Sequence, residues 1–375
     1  MEMIEYVTSE QSHHIIKRTG MKGENLTKIG VCVIGSGRAG MIHARNFSRR
    51  VNRAQLVALA DAHAETLQAA QKELEVETGY ADYRDALADP RVDAVVVVTP
   101  TALHREVVLA AAKAGKHVLC EKPMAMDVRE CDDMIAACGE AGVKLQIGFM
   151  RRYDESFMAA RQRISAGEIG EVVLVKSLTH GPSVPQEWMY DIRKSNGPLA
   201  EVNSHDIDTL RWFADEEITE VYALGGNFRC PQAVERYPDF YDNVAMICRF
   251  ADGRQGFIDG AVSVGYGYDS RAEIVGTRGI MFVGRREQDS VVGCSTDRGI
   301  AQPFVKSWRT LFTEAYVAED QDFVDCIREG RDPRVRGLDG RMAVAVVNAG
   351  NRSIIERAPV NVETTAHKVH TGGRR

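Results

Sequence analysis

Three groups of residues in this 375-residue chain have the types and spacing needed for chemistry. The first is Val118-Leu119-Cys120-Glu121-Lys122-Pro123, an apolar run that breaks off into a carboxylate, an amine and a proline. The run reads as a buried strand, and Pro123 can neither donate to a ladder nor continue a helix, so Glu121 and Lys122 stand where the strand stops. In an open parallel sheet that end is where ligands bind. The second group is Glu201-Val-Asn-Ser-His205, after the loop Lys194-Ser-Asn-Gly-Pro198. Leu199, Ile207, Leu210 and Phe213 have a helical apolar spacing, which predicts Glu201 and His205 one turn apart on one helix face. A carboxylate one turn from an imidazole can hold its tautomer and raise its basicity, as a general base requires. The same spacing also describes an ordinary surface pair. The third group is Gly35-Ser36-Gly37-Arg38-Ala39-Gly40, between the β-branched run 28–34 and the helical pattern that starts at Met41. In that order Gly35 makes the tight turn, Gly37 lets backbone amides approach a pyrophosphate, and Gly40 lets helix and strand pack closely. The helix N-terminus then faces the phosphates. A glycine turn without a ligand is the plainer reading.

The elements that position these groups follow from the apolar pattern. A second strand, 55–60, ends in Asp61, the place for a carboxylate that accepts from ribose hydroxyls, although its 26-residue spacing from Gly35 exceeds the usual figure of about 20. With no arginine at hand, Asp61 would repel a 2′-phosphate, so NAD is preferred to NADP; alternatively Asp61 only caps the helix predicted over 62–74. Strands at 94–98, 117–119 and 145–147 alternate with helices at about 103–114 and 128–141, Gly115 ending the first. Such alternation predicts a doubly wound parallel sheet over 28–149. Thr99 and Pro100 end one of its strands, and their backbone walls the cofactor site. From 150 to 360 the pattern changes to strands at 172–177, 220–225, 244–250, 255–262 and 271–275, with the turn Ala251-Asp252-Gly253 joining two as a hairpin. That half is expected to be an α/β domain with a large, mostly antiparallel sheet. Its other face needs cover, which a partner subunit would supply. A last helix is predicted over 340–357, before a polar tail, 361–375, expected to be disordered.

Composition narrows the class. The length favours two domains, and 44% hydrophobic with 27% charged residues indicates a globular protein. A net charge of −6 without Lys/Arg blocks gives no reason to expect nucleic acid or an anionic membrane as partner. No apolar run approaches the roughly 20 residues of a membrane span. Residues 1–27 lack the apolar core of a signal peptide and read as an extension, with His13-His14 as surface residues. The eight cysteines form no CxxC pair and read as reduced core thiols of a cytoplasmic protein. The absence of a clustered Cys/His set also argues against a zinc alcohol dehydrogenase, and no metal is expected.

Six stretches carry a family resemblance. Val98-Thr-Pro-Thr-x-x-His104, Gly115-Lys-His-Val-Leu-Cys-Glu-Lys-Pro123, Gly148-Phe-Met-Arg-Arg-Tyr-Asp154, Gly197-Pro-Leu-x-Glu-x-x-x-His-Asp-Ile-Asp208, Tyr266-Gly-Tyr-Asp-x-Arg-x-Glu-Ile-x-Gly-x-x-Gly279 and Asp339-Gly resemble, in order, the signatures of the glucose-fructose oxidoreductase and inositol dehydrogenase family. The third and fifth are most similar to its inositol dehydrogenase branch. The resemblance implies an N-terminal NAD-binding domain, a C-terminal sheet domain, and a homodimer or homotetramer packed through the sheets. It implies an active site of Lys122, Glu201 and His205, with Thr99, Pro100, His104, Glu121 and Lys122 joining the glycine loop and Asp61 on the cofactor side. Arg151, Tyr266 and Tyr268 would line a sugar pocket, and His180 is a weaker candidate. The implied reaction is reversible oxidation of a secondary ring hydroxyl: His205 takes the proton, Glu201 orients the imidazole, and Lys122 steadies the alkoxide. This chain has Glu201 where the family usually has Asp, and Asn203-Ser204 where glycine and an apolar residue are common. Asn203 adds donors that could read a further hydroxyl. A pyranoside dehydrogenase and a non-catalytic NAD-binding regulator are the two rival readings.

Overall fold

The computed structural model describes residues 28–297 and 299–364. The predicted extension 1–27, the histidines in it, and all but the first four residues of the predicted tail lie outside them.

The first half is a six-stranded parallel sheet in the order β3-β2-β1-β4-β5-β6. Its strands are β1 (Ile29–Ile34), β2 (Ala54–Ala60), β3 (Gly79–Tyr80), β4 (Ala94–Val97), β5 (His117–Glu121) and β6 (Leu145–Gly148). The helices between them are α1 (Gly40–Arg49), α2 (Ala64–Leu74), α3 (Tyr83–Ala88), α4 (His104–Lys113) and α5 (Val128–Ala141). All four residues of β4 are buried, as expected for a strand covered on both faces.

After α6 (Glu155–Ser165) comes a seven-stranded sheet in the order β12-β11-β7-β10-β9-β8-β15. It comprises β7 (Val172–Gly181), β8 (Ile218–Gly226), β9 (Asn243–Phe250), β10 (Gln255–Val262), β11 (Asp269–Gly276), β12 (Ile280–Val283) and the short β15 (Val360–Asn361). The predicted hairpin joins β9 and β10, but β10 runs parallel to β7, so the sheet is mixed and mostly antiparallel. β9 alternates buried and exposed residues, so one face is covered and the other open. A small exposed hairpin, β13 (Gly293–Ser295) with β14 (Gly299–Ala301), stands outside this sheet. The covered face packs on α9 (Gly197–Glu201), α10 (Ser204–Ala214) and α13 (Gly337–Glu356); the short α7 (Glu187–Tyr190) and α8 (Ile192–Ser195) lead into α9, and after α11 (Trp308–Leu311), α12 (Thr313–Glu329) packs on α1 and the turn 150–153.

The two halves do not separate cleanly at residue 150. Phe323 and Val324 of α12 are buried in the same cluster as Val31, Val33, Phe47 and Leu119 of the first half. The polar tail also starts later than predicted, because Asn361 still pairs with Glu220 of β8. Seven cysteines are buried free thiols, whereas Cys294 on the outer hairpin is exposed.

Candidate active site

The glycine turn is built as its spacing requires. Gly35 has φ +100°, and a Cβ there would lie 2.5 Å from the Val98 carbonyl; one at Gly40 would lie 1.8 Å from the Gly35 carbonyl. A Cβ at Gly37 would meet nothing within 4 Å, which leaves room over the loop for a phosphate. Ser36 Oγ and Thr99 Oγ1 are buried without a hydrogen-bond partner, and both border this loop. Buried hydroxyls without partners fit a site completed by a dinucleotide, with Gly35 to Gly40 and the first turn of α1 receiving its phosphates. Asp61 has both oxygens engaged: Oδ2 accepts from Ser36 N at 2.7 Å and Oδ1 from His63 N at 2.9 Å. It therefore braces the glycine turn itself, and the helix after it starts at Ala64, two residues later than predicted.

The turn after β5 places Lys122 between the two halves. The Lys122–Pro123 peptide is cis. Lys122 Nζ donates to the Glu201 backbone carbonyl at 2.7 Å, across 79 residues of sequence. Its backbone N–H donates to its neighbour Glu121 Oε2 at 3.0 Å, and Glu121 Oε1 meets His43 Nε2 at 3.1 Å. Glu121 is thus buried, with both carboxylate oxygens engaged inside the protein.

The Glu201/His205 pair departs from its prediction. α9 ends at Glu201 and α10 begins at Ser204, so the two residues stand on separate helices with Val202 and Asn203 in the break. Asparagine favours helix starts over interiors, and Asn203 opens α10. No hydrogen bond joins the carboxylate to the imidazole: Glu201 Oε1 and His205 Nδ1 are both buried without partners. The expected gain in basicity is reversed, because burial, then the cations of Lys122 and Arg151, hold His205 well below its ordinary pKa. Burial raises the Glu201 carboxyl, opposed by Lys122 and by the Thr101 hydroxyl. His205 is therefore a neutral imidazole, edge-on to Phe149 at 5.8 Å.

Five other predicted site residues already have partners within the protein. His104 is fully enclosed, with Nδ1 2.9 Å from the Pro123 carbonyl and Nε2 2.8 Å from the Thr99 carbonyl. It clamps two predicted cofactor-side loops together. Arg151 is 1% exposed and pairs with Asp206 at 2.8 Å and Thr179 at 2.5 Å, so it lies beneath the pocket. Asn203 is likewise buried; its amide donates to Asp206 at 2.8 Å, leaving the carbonyl Oδ1 unpartnered. Its amide is turned onto Asp206 and its Oδ1 lies against Gly260 of β10, where donors to a hydroxyl were expected. Tyr268 is buried beside Arg151 and Ser270, while Tyr266 is half exposed with its hydroxyl on His180 Nδ1. His180 Nε2 stands 3.0 Å from Asp259.

Sequence reading missed His43 and the acidic residues of α12, and gave Thr101 a place only in the wall of the cofactor site, not beside Glu201. His43 gave one signal: an ionisable residue on the apolar side of a helix.

Residues 29–149 match the oxidoreductase family with an NAD-binding Rossmann fold, and residues 157–282 match the GFO/IDH/MocA C-terminal domain. The chain is 32% identical over 345 residues to scyllo-inositol 2-dehydrogenase (NAD(+)) of Bacillus subtilis, covering 92% of this chain and 99% of that one. It is 33% identical to myo-inositol 2-dehydrogenase of Thermotoga maritima over 88% of this chain and 98% of that one. Its fold matches the crystal structure of scyllo-inositol dehydrogenase from Lactobacillus casei with bound NAD(H) and scyllo-inositol, with a TM-score of 0.82, 27% identity, and 89% and 99% of the two chains covered. The chain belongs to the GFO/IDH/MocA family and is an NAD-dependent oxidoreductase of the inositol dehydrogenase branch. Among the described residues, no helix is long and apolar enough to cross a membrane.

Proposed function

We propose that this dehydrogenase reversibly oxidises a secondary ring hydroxyl of a cyclitol, such as myo-inositol or a related inositol, to the ketone. The observation that carries the reading is the placement of Lys122, at the end of β5 and tied to the Glu201 carbonyl, beside a buried neutral His205. NAD, when bound, supplies the acceptor for the carbinol hydride. His205 is neutral and accepts the hydroxyl proton. The Lys122 ammonium donates a hydrogen bond to the reacting oxygen and steadies its developing charge. Glu201 Oε1 has free acceptor capacity, which suits a ligand rich in hydroxyl groups. Glu201, one methylene longer than the family's usual aspartate, is the residue expected to tune which hydroxyl is presented. The names of the similar proteins support a cyclitol substrate.

The open face of the large sheet carries Leu224, Ile247 and Phe282, each more than half exposed, which supports a homodimer or homotetramer packed through that face. A cytoplasmic setting accords with eight cysteines held as free thiols. Rates of NADH formation across inositols and pyranosides test the substrate. Turnover of inositols is expected. Activity confined to pyranosides would move the assignment to a sugar dehydrogenase, and no activity on either would leave an NAD-binding regulator.

A further inference from the structure

We propose that Glu319 is a buried, uncharged carboxylic acid that hydrogen-bonds the Glu121 carboxylate, directly or through one water, and that with His43 it positions the Lys122 turn. The inference rests on the role given to Lys122 above. His43 on α1, Glu121 on β5 and Glu319 on α12 each bring one nitrogen or oxygen to within 4.8 Å of the others. Asp320 completes the cluster, 2.6 Å from His43 Nδ1 and held by Asn46 Nδ2 at 2.8 Å. All four are buried, with His43, Glu319 and Asp320 at 0% exposure.

Three carboxylates around one imidazole cannot all be ionised in a dry interior, because each uncompensated ion costs several kcal/mol. His43 has a carboxylate against each ring nitrogen, which favours the imidazolium and accounts for Asp320 and Glu121 as its counter-ions. Glu319 is the carboxyl left over, and neither of its oxygens has a partner. When two carboxyls share such a site, one keeps its proton. Burial, the Glu121 charge, Asp320 and Asp322 all raise the Glu319 carboxyl, with only His43 opposing. A neutral acid supplies the one thing this cluster lacks, a further donor to Glu121.

Glu121 transmits that restraint to the site. Its Oε1 faces His43 and its Oε2 takes the Lys122 N–H, so the angle of its carboxyl plane fixes the backbone that carries Lys122. Little room exists for it to turn, because a Cβ at Gly148 would lie 2.9 Å from its carboxyl carbon. Glu319 is itself anchored: Gln146 Nε2 on β6 donates to its backbone carbonyl at 3.0 Å. The same three side chains have the identities of a metal triad. A metal, however, would need the lone pair of His43 Nε2, the atom that serves here as donor to Glu121.

The test compares full-length wild type with Glu319→Gln and Glu319→Leu. The infrared difference between wild type and Glu319→Gln at pH 7 should contain a protonated-carboxyl stretch that the variant lacks. Glu319→Gln, a neutral donor of the same shape, should rescue turnover to within about threefold, whereas Glu319→Leu should lower kcat by about 10- to 10²-fold with NAD affinity nearly unchanged. Absence of the protonated-carboxyl band, equal damage in the Gln and Leu variants, or one bound divalent metal per chain would overturn the proposal. The infrared band reads Glu319 even if no polyol is turned over, so failure of the substrate reading is separable from failure of this one.

Discussion

The two sides of Lys122 are finished to different degrees. On the cofactor side, Asp61 accepts from Ser36 and His63, and His104 joins the carbonyls of Thr99 and Pro123, so the scaffold is braced before any ligand arrives, while the Ser36 and Thr99 hydroxyls stay buried without partners. On the substrate side, Glu201 Oε1, Asn203 Oδ1, Ser204 Oγ and His205 Nδ1 are all buried and unpartnered. Buried polar atoms ordinarily find partners. Four such atoms fall within residues 201–205, and of these Asn203 Oδ1 lies against Gly260 of β10. We propose that the braced half serves one invariant dinucleotide and that the less satisfied half is re-specified by a single methylene, as at Glu201.

The largest expected effect tests the foundation under the unfinished half. Arg151→Leu removes the partner of buried Asp206 and should lower unfolding free energy by about 3–5 kcal/mol in denaturant titration. A loss under about 1 kcal/mol would mean that Ser177, Thr179 and Asn203 alone satisfy Asp206. Next, Lys122→Ala and His205→Ala should each reduce turnover by at least about 10²-fold while leaving NAD affinity nearly unchanged. Near-normal turnover in either variant would remove that residue from the mechanism. On the braced side, Asp61→Ala should relax the preference for NAD over NADP and loosen the glycine turn. An unchanged cofactor ratio would confine Asp61 to its bracing role. The smallest effect is in the pH profile. Since the folded protein holds His205 neutral, the acid limb of kcat/KM should lie below the ordinary imidazole value of roughly 6.5, with no loss of rate as pH falls from 8 toward it. A limb above that value would show that Glu201 charges the imidazole after all.

The same contrast explains what could be read in the sequence. The parallel sheet, the glycine turn and the strand that ends at Lys122 depend on local order and on apolar runs of period one or two, which neighbours in sequence determine. β6 and the Ala251-Asp252-Gly253 hairpin follow from the same signals. The helix break between Glu201 and Ser204 does not, because the apolar spacing of Leu199, Ile207 and Leu210 continues across it and only Asn203 hints at a new start. Resemblance alone put Arg151 in the pocket lining; its pairing with Asp206, 55 positions away, was not legible because only the packing of α10 on β7 brings them together. The parallel pairing of β7 with β10, and the return of α12 to place Glu319 beside Glu121, are equally non-local. Family resemblance supplied the proposed catalytic trio, and the structure corrected how its members touch.

The central claim is tested most directly by NADH formation with purified protein, wild type beside Lys122→Ala and His205→Ala, on myo-inositol, scyllo-inositol and a panel of pyranosides. The account predicts NAD-dependent oxidation of at least one inositol by the wild type, lost in both variants. Oxidation of pyranosides alone, or inositol turnover that survives both substitutions, would contradict it.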